Sequence, residues 1–139
     1  MYLLGQPCPE SYSITGNLEG IKKVNNESYR EYLAKCLRDM KELPEVFICA
    51  NDFVALDVLQ ALKNMGLSVP EDIWLCGFDD SPESKVVTPS LTTIHIHSQI
   101  MGFSSVHLLM SRIKQPSLNY RIMRTETTLI YRESTGPVG

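Results

Sequence analysis

Ile73-Trp74-Leu75-Cys76-Gly77-Phe78-Asp79-Asp80 is the stretch that decides the fold. Its apolar run is bounded upstream by Val69-Pro70-Glu71-Asp72 and downstream by Asp79-Asp80-Ser81-Pro82. The run is too short for a helix and apolar on both faces, which predicts a strand buried inside a parallel sheet. Open parallel sheets bind ligands just beyond the carboxyl ends of their strands. Asp79 therefore stands where a bound molecule would be.

A second such run, Val46-Phe47-Ile48-Cys49-Ala50, ends on Asn51-Asp52. Asn51 and Asp79 each follow directly after a buried strand, so parallel neighbours would project both side chains at one rim. A carboxylate accepts hydrogen bonds and an amide both donates and accepts. The pair suits a hydroxyl-rich ligand such as a sugar. The plainer alternative is that Asn51 closes a turn and Asp79 caps one. Asp52 and Asp80 are weaker candidates, because capping and loop hydrogen bonds account for them.

Asp52 suits the N-cap of a helix over 53–65. Val54, Ala55, Val58, Leu59, Ala61, Leu62 and Met65 share one broad face of it. Phe53 and Leu56 fall among Asp57, Gln60, Lys63 and Asn64, either as ordinary exposed residues or as a contact surface. Gly66 closes the helix as its C′ residue. Upstream, Tyr2-Leu3-Leu4-Gly5 reads as a short strand, Gln6-Pro7-Cys8-Pro9 as a loop, and Ser11 or Ser13 as the cap of a helix to about Val24. A strand starting almost at residue 1 suggests a fragment that enters its fold midway. A second helical pattern runs to about Met40, striped by Tyr29, Leu33, Cys36, Leu37 and Met40. Regular βα alternation would place a strand between these two helices, and the sequence has none.

Downstream, residues 81–89 read as a loop, polar except for Val86 and Val87. Leu91-Thr92-Thr93-Ile94-His95-Ile96 is β-branched and extended. A helix follows from Ser98 to Lys114, with Gly102, Phe103, Val106, Leu109, Met110 and Ile113 on its main stripe. Met101 and Leu108 form a second apolar strip, so burial is expected on more than one face. After Pro116 a hairpin of 120–123 with 127–131 is expected, then a disordered tail over 136–139. The sum is an α/β fold with a mainly parallel sheet flanked by helices.

A chain of 139 residues predicts one domain with a proper core. Net charge is −3, and no Lys/Arg cluster supplies the electrostatic footprint of a nucleic-acid binder. No apolar run approaches the roughly 20 residues that span a bilayer, and no signal peptide opens the chain. Cys8, Cys36, Cys49 and Cys76 lack Cys-x-x-Cys spacing, so neither a zinc site nor a disulfide framework is expected. The chain reads as reduced and cytoplasmic.

Catalytic patterns are missing too. Asp79-Asp80 could suggest Mg²⁺, but no Gly-rich phosphate loop or Gly-x-Ser-x-Gly elbow accompanies them. His95 and His97 have a spacing that metals use, without an evident third ligand. His107 sits beside the stripe of its helix. No nucleophile–base arrangement stands out, so neither an enzyme, a metal nor a cofactor is expected.

Four segments resemble a known family in order and spacing. They are Ile48-Cys49-Ala50-Asn51-Asp52, Gly66-Leu67-Ser68-Val69-Pro70-Glu71-Asp72-Ile73, Gly77-Phe78-Asp79-Asp80 and Pro89-Ser90-Leu91-Thr92-Thr93-Ile94. Together with the ending Leu129-Ile130-Tyr131-Arg132-Glu133-Ser134, they resemble the lactose-repressor/galactose-repressor (LacI/GalR) regulators. The resemblance covers the chain from Pro44 to Thr135 and corresponds to the C-terminal part of the effector-binding core, with its periplasmic-binding-protein-like fold.

The resemblance implies a two-lobed core that closes on a small effector, often a sugar, with Asn51 and Asp79 in the ligand shell. It implies that residues 1–94 belong to the C-terminal lobe, 95–115 cross to the other lobe, and 116–139 return. Phe53, Leu56, Val86 and Val87 would lie at a homodimer interface. DNA would be bound through an N-terminal headpiece outside this chain. Two features depart from the family. Asn17, in Gly16-Asn17-Leu18-Glu19-Gly20, occupies the place of an arginine clamp, and an amide cannot reproduce that charged fork. The strand expected after Val24 is missing, so either the sheet is one strand smaller or a segment is absent. An alternative of the same fold is a sugar-binding transport protein, which would carry a secretion signal and behave as a monomer.

Overall fold

The computed structural model describes residues 29–137, together with the short strands at 2–3 and 6–7. Strands β1 (Tyr2–Leu3) and β2 (Gln6–Pro7) pair antiparallel with each other. Residues 6–7, expected in a loop, are thus paired. The expected first helix and Asn17 lie outside the described residues.

Helix α1 (Tyr29–Asp39) packs on α2 (Asp52–Asn64) through Leu33 and Leu37, both fully buried. An Arg30–Asp57 ion pair of 2.6 Å closes the solvent side of this contact. Strand β3 (Val46–Ile48) lies parallel to β4 (Trp74–Cys76), with Phe47 opposite Leu75. Period-two alternation aims Phe47, Cys49, Ile73 and Leu75 at the helices, where all are buried. Ile48 and Trp74 point the other way and are 56% and 47% exposed. The expectation of burial on both faces therefore fails for this face. Among the described residues, Gly136 approaches Trp74 there but no helix covers it.

The C-terminus of α2 is closed by backbone geometry. Gly66 takes φ +80, its N–H donates to Lys63 O at 3.0 Å, and Leu67 N–H donates to Leu62 O at 3.0 Å. These are the two bonds of a Schellman cap, and a left-handed C′ position favours glycine. Residues 82–86, expected in a loop, form a short helix, α3 (Pro82–Val86). Ser81 caps it through Ser84 N–H at 3.3 Å, and Pro82 sits where its missing N–H costs nothing.

Strand β5 (Thr93–Ile96) continues the sheet alongside β4 through Gly77 N–H to Thr92 O (2.8 Å) and Asp79 N–H to Ile94 O (2.9 Å). The expected 120–123/127–131 hairpin does not form. Instead β6 (Thr127–Ile130) pairs antiparallel with β5, placing His95 opposite Thr128, and 120–123 is irregular. β5 supplies a partner to every residue of β6, from Ile96 opposite Thr127 to Thr93 opposite Ile130. The chain then turns through a 3₁₀ segment, Glu133–Thr135, whose Ser134 Oγ donates to Leu75 O at 2.6 Å.

Helix α4 (Ser98–Lys114) has its expected limits, but none of its residues is buried. Phe103, Val106, Leu109 and Ile113 are all exposed, and the face turned to the sheet is that of Met101, Ser104 and Leu108.

Gly77 is where the sheet admits no side chain. A Cβ there would overlap the Asp52 carboxylate and stand 2.8 Å from Leu91 Cδ2 and 3.2 Å from Asp52 Cα. Gly77→Ala is expected to lower stability by about 1–3 kcal/mol, the usual cost of overpacking. The urea midpoint by circular dichroism checks this, and an unchanged midpoint would contradict the packing described.

Candidate functional site

The rim at the carboxyl ends of β3 and β4 assembles as one surface. Asp52 N–H donates to Phe78 O at 2.9 Å, so Asn51 and Asp79 each adjoin one residue of this bonded pair. Asn51 is the actual N-cap of α2, with extended backbone and Oδ1 accepting from Val54 N–H at 2.8 Å. Asp52, expected as the cap, is instead the first helical residue and is buried. Its Oδ1 accepts from Thr93 Oγ1 at 2.6 Å and its Oδ2 from Ser81 N–H at 2.7 Å. The capping alternative is thus real for Asn51, which remains half-buried at the rim.

Asp79 and Asp80 both have positive φ, +104 and +52. Side chains other than glycine rarely occupy this region, and such strain persists where neighbours over-determine it. Four anchors do so here. Asp79 N–H donates to Ile94 O and Asp80 N–H to Thr93 Oγ1 at 3.3 Å. Ser81 N–H is held by Asp52. The Asp80 carboxylate takes Arg132 Nη2 at 2.5 Å and His95 Nδ1 at 3.0 Å, with Lys85 Nζ at 3.5 Å. Asp79 is exposed, and its carboxylate makes no hydrogen bond to the described residues.

Burial pushes the Asp80 carboxyl up. Hydrogen bonds from Arg132 and His95, and then the charges of Arg132 and Lys85, outweigh it and hold the group below its usual value. Arg132 escaped the sequence reading except as part of the closing motif. Its Nη1 also donates to Ser84 Oγ (3.0 Å) and Leu91 O (2.8 Å), so one guanidinium joins α3, the start of β5 and the rim. His95 and His97 meet edge to face at 4.9 Å, but their nitrogens go to Asp80 and to Thr128 Oγ1 (3.0 Å) rather than to a common point. His107 lies on exposed α4 near Phe103, ring centroids 5.7 Å apart.

A cavity of about 320 Å³ opens beside the rim, between Phe78 and Ile96 on the sheet side and Met101 and Leu108 on α4. Away from the rim, burial and then the nearby Cys76 and Asp52 push the Cys49 thiol up to about 12. Burial and Asp52 also raise that of Cys76. Both thiols behave as small hydrophobic groups. Of the expected interface residues, Phe53 and Val86 are 60% and 81% exposed. Leu56 is half-buried, and Val87 packs against the core.

Residues 9–135 match the periplasmic binding protein-like domain. The chain belongs to that family. The solved structures it resembles include LacI-family regulators, matched over their effector-binding part. The chain is 33% identical over 130 residues to the ribose operon repressor of Escherichia coli K12, covering 94% of this chain and 37% of the repressor. A structure of the transcriptional regulator CelR in complex with cellobiose superposes with a TM-score of 0.77 at 25% identity. It covers 94% of this chain and 38% of CelR. The lac repressor dimer bound to operator and the anti-inducer ONPF matches at TM-score 0.67 and 28% identity, over 76% of this chain and 32% of that one. The chain thus spans about a third of the length of these relatives. They are named as transcriptional regulators and repressors, not as enzymes. No helix among its described residues is long and apolar enough to cross a membrane.

Because the folded Asp80 carboxyl sits below its ordinary value of 3.8, its stabilising contribution is complete above that pH and is lost as pH falls through the lower folded value. Urea midpoints measured across acid pH are expected to fall more steeply for the native chain than for Asp80→Asn. Near neutrality Asp80→Asn should cost about 1.5–3 kcal/mol, the scale of a charge-assisted hydrogen bond. Parallel acid limbs for the two proteins would contradict the pairing.

Proposed function

We propose that this chain is the effector-sensing part of a cytoplasmic DNA-binding transcriptional regulator whose effector is a sugar or sugar derivative. The observation that carries the reading is the rim. A strained, fully anchored turn presents the Asp79 carboxylate without a hydrogen-bond partner among the described residues, at the same rim as the half-buried amide of Asn51. Adjacent acceptor and amide groups suit vicinal hydroxyls, whereas they offer no cation for a phosphate or carboxylate ligand. The cellobiose complex of CelR and the ribose repressor point the same way. Asn17 is assigned to the same shell from its place in the family pattern.

In this proposal residues 1–94 and 116–139 form one lobe and 95–115 cross to the other, which closes over the ligand. The exposed apolar stripe of α4 supports this, since a stripe of that size expects a covering surface. Closure rearranges a homodimer whose contacts include Phe53, Leu56, Val86 and Val87, and so alters operator binding through an N-terminal headpiece. The exposure of Phe53 and Val86 supports that assignment, as does the dimeric lac repressor bound to its operator.

Calorimetric titration of the full-length regulator with D-ribose and cellobiose tests the reading. One of a panel of such sugars is expected to bind, and Asp79→Asn to weaken it about ten- to hundredfold, the scale of a hydrogen bond to a charged group. No binding across the panel, with unchanged operator affinity, would overturn it. The 139-residue chain alone is expected to self-associate through α4. Sedimentation velocity should show larger species with rising concentration, diminished in Phe103→Glu/Leu109→Glu. A clean monomer at high concentration would contradict the α4 assignment.

A further inference from the structure

We propose that Arg132 is the positioning residue of the effector site: acting through Asp80, it locks the left-handed 79–80 turn and so fixes where the Asp79 carboxylate points. This rests on the reading of Asp79 as the ligand-facing group.

The argument begins with the strain. Two consecutive aspartates at positive φ hold only if the surroundings outweigh the cost, which is of order 1–3 kcal/mol per residue. Of the four anchors, three bind backbone N–H groups, at Asp79, Asp80 and Ser81. The fourth is the sole one that grips a side chain within the turn, and Arg132 is its strongest member. At 2.5 Å its Nη2 makes the shortest of the three contacts to the Asp80 carboxylate, and its side chain is largely buried. Lys85 stands at 3.5 Å with its side chain half exposed, where a surface pair contributes little. His95 lies in β5 at 3.0 Å, its side chain partly exposed.

Arg132 is itself fixed before it reaches Asp80. Its backbone N–H donates to Thr92 Oγ1 at 2.8 Å, and Nη1 is held by Leu91 O and Ser84 Oγ. A planar guanidinium with one edge so occupied presents Nη2 in a single direction. A group pinned at one end transfers that rigidity to the carboxylate it binds, and pre-organisation of the adjacent Asp79 lowers the cost of ligand binding. Arg132 touches no ligand in this scheme; its effect reaches the site through Asp80.

Nuclear magnetic resonance of the full-length regulator, with Arg132→Gln, Arg132→Lys, Asp80→Asn and, as a control in the same segment, Glu133→Gln, tests this. Scalar couplings and Cα/Cβ shifts at Asp79 and Asp80 report their φ, and amide exchange reports the Asp79–Ile94 bond. Arg132→Gln is expected to speed Asp79 amide exchange about tenfold or more, the scale of one lost charge-assisted hydrogen bond, and to shift the φ-sensitive signals. Asp80→Asn should do the same, the double variant should add little, and Glu133→Gln should leave Asp79 unmoved. Arg132→Lys, which keeps the charge but not the fork, should fall between.

Unchanged Asp79 signals in Arg132→Gln would overturn the proposal, as would a Glu133→Gln effect of equal size, which would mark general loosening of the C-terminal segment. These readouts need no ligand, so they decide the positioning role even if no sugar binds, an outcome that would sink only the effector reading. Where D-ribose or another sugar of the panel does bind, Arg132→Gln is expected to weaken it about tenfold while Glu133→Gln does not. Equal affinities for the native protein and Arg132→Gln would also overturn the role.

Discussion

The buried carboxylate of Asp52 is the constraint on which the rim depends. It lies at the first position of α2, where the helix dipole favours negative charge. Thr93 Oγ1 and Ser81 N–H donate to its two oxygens, and its own N–H reaches Phe78 O. One residue therefore ties the ends of β3, β4 and β5 to the loop that follows. Leaving such a group unpaired would cost more than any single bond gains, so the three elements are held in one relative position. Gly77 follows from this arrangement, because the Asp52 side chain fills the space a Cβ at 77 would need.

Three aspartates within this small region play three parts, and their partners decide which. Asp52 is saturated by neutral donors and organises the packing. Asp80 is engaged by Arg132, His95 and Lys85 and organises the turn. Asp79 has its backbone pinned and its carboxylate turned outward. Adjacent acids at a strand end, taken alone, could also suggest a Mg²⁺ centre. The hydrogen bonds separate the readings, since a carboxylate engaged by arginine and histidine has its charge already met.

Periodicity made much of this legible in the sequence. The runs at 46–50 and 73–77 form parallel strands, and helix 98–114 has its expected ends at Ser98 and Lys114. The rim pair was legible because it follows strand ends, a purely local position. The cap was misplaced by one residue, since Asn51 and Asp52 are equally good N-caps locally. Thr93 and Ser81, distant in sequence, draw Asp52 inward and leave the cap to Asn51. The short helix at 82–86 carried a local signal in Ser81-Pro82 that its five-residue length kept below any periodicity. Arg132 was out of reach for a different reason. Its side-chain partners lie 41 to 52 positions upstream, and no local pattern encodes such contacts.

The failed hairpin exposes a mechanical asymmetry. By pairing with β6 along one edge while Thr92 and Ile94 accept from Gly77 and Asp79 on the other, β5 is held on both sides. Its outgoing end is held as well, with His95 against Asp80 and His97 against Thr128. Helix α4 leaves directly from this point, without a side-chain cap and without a buried residue. Local opening free energies track buried apolar contacts and protected hydrogen bonds. Buried contacts and hydrogen bonds thus concentrate at the rim, and α4 beyond His97 has few of them. One covalent path from α4 to the sheet runs through 95–97, one hydrogen bond from the carboxylate that fixes the turn beneath Asp79.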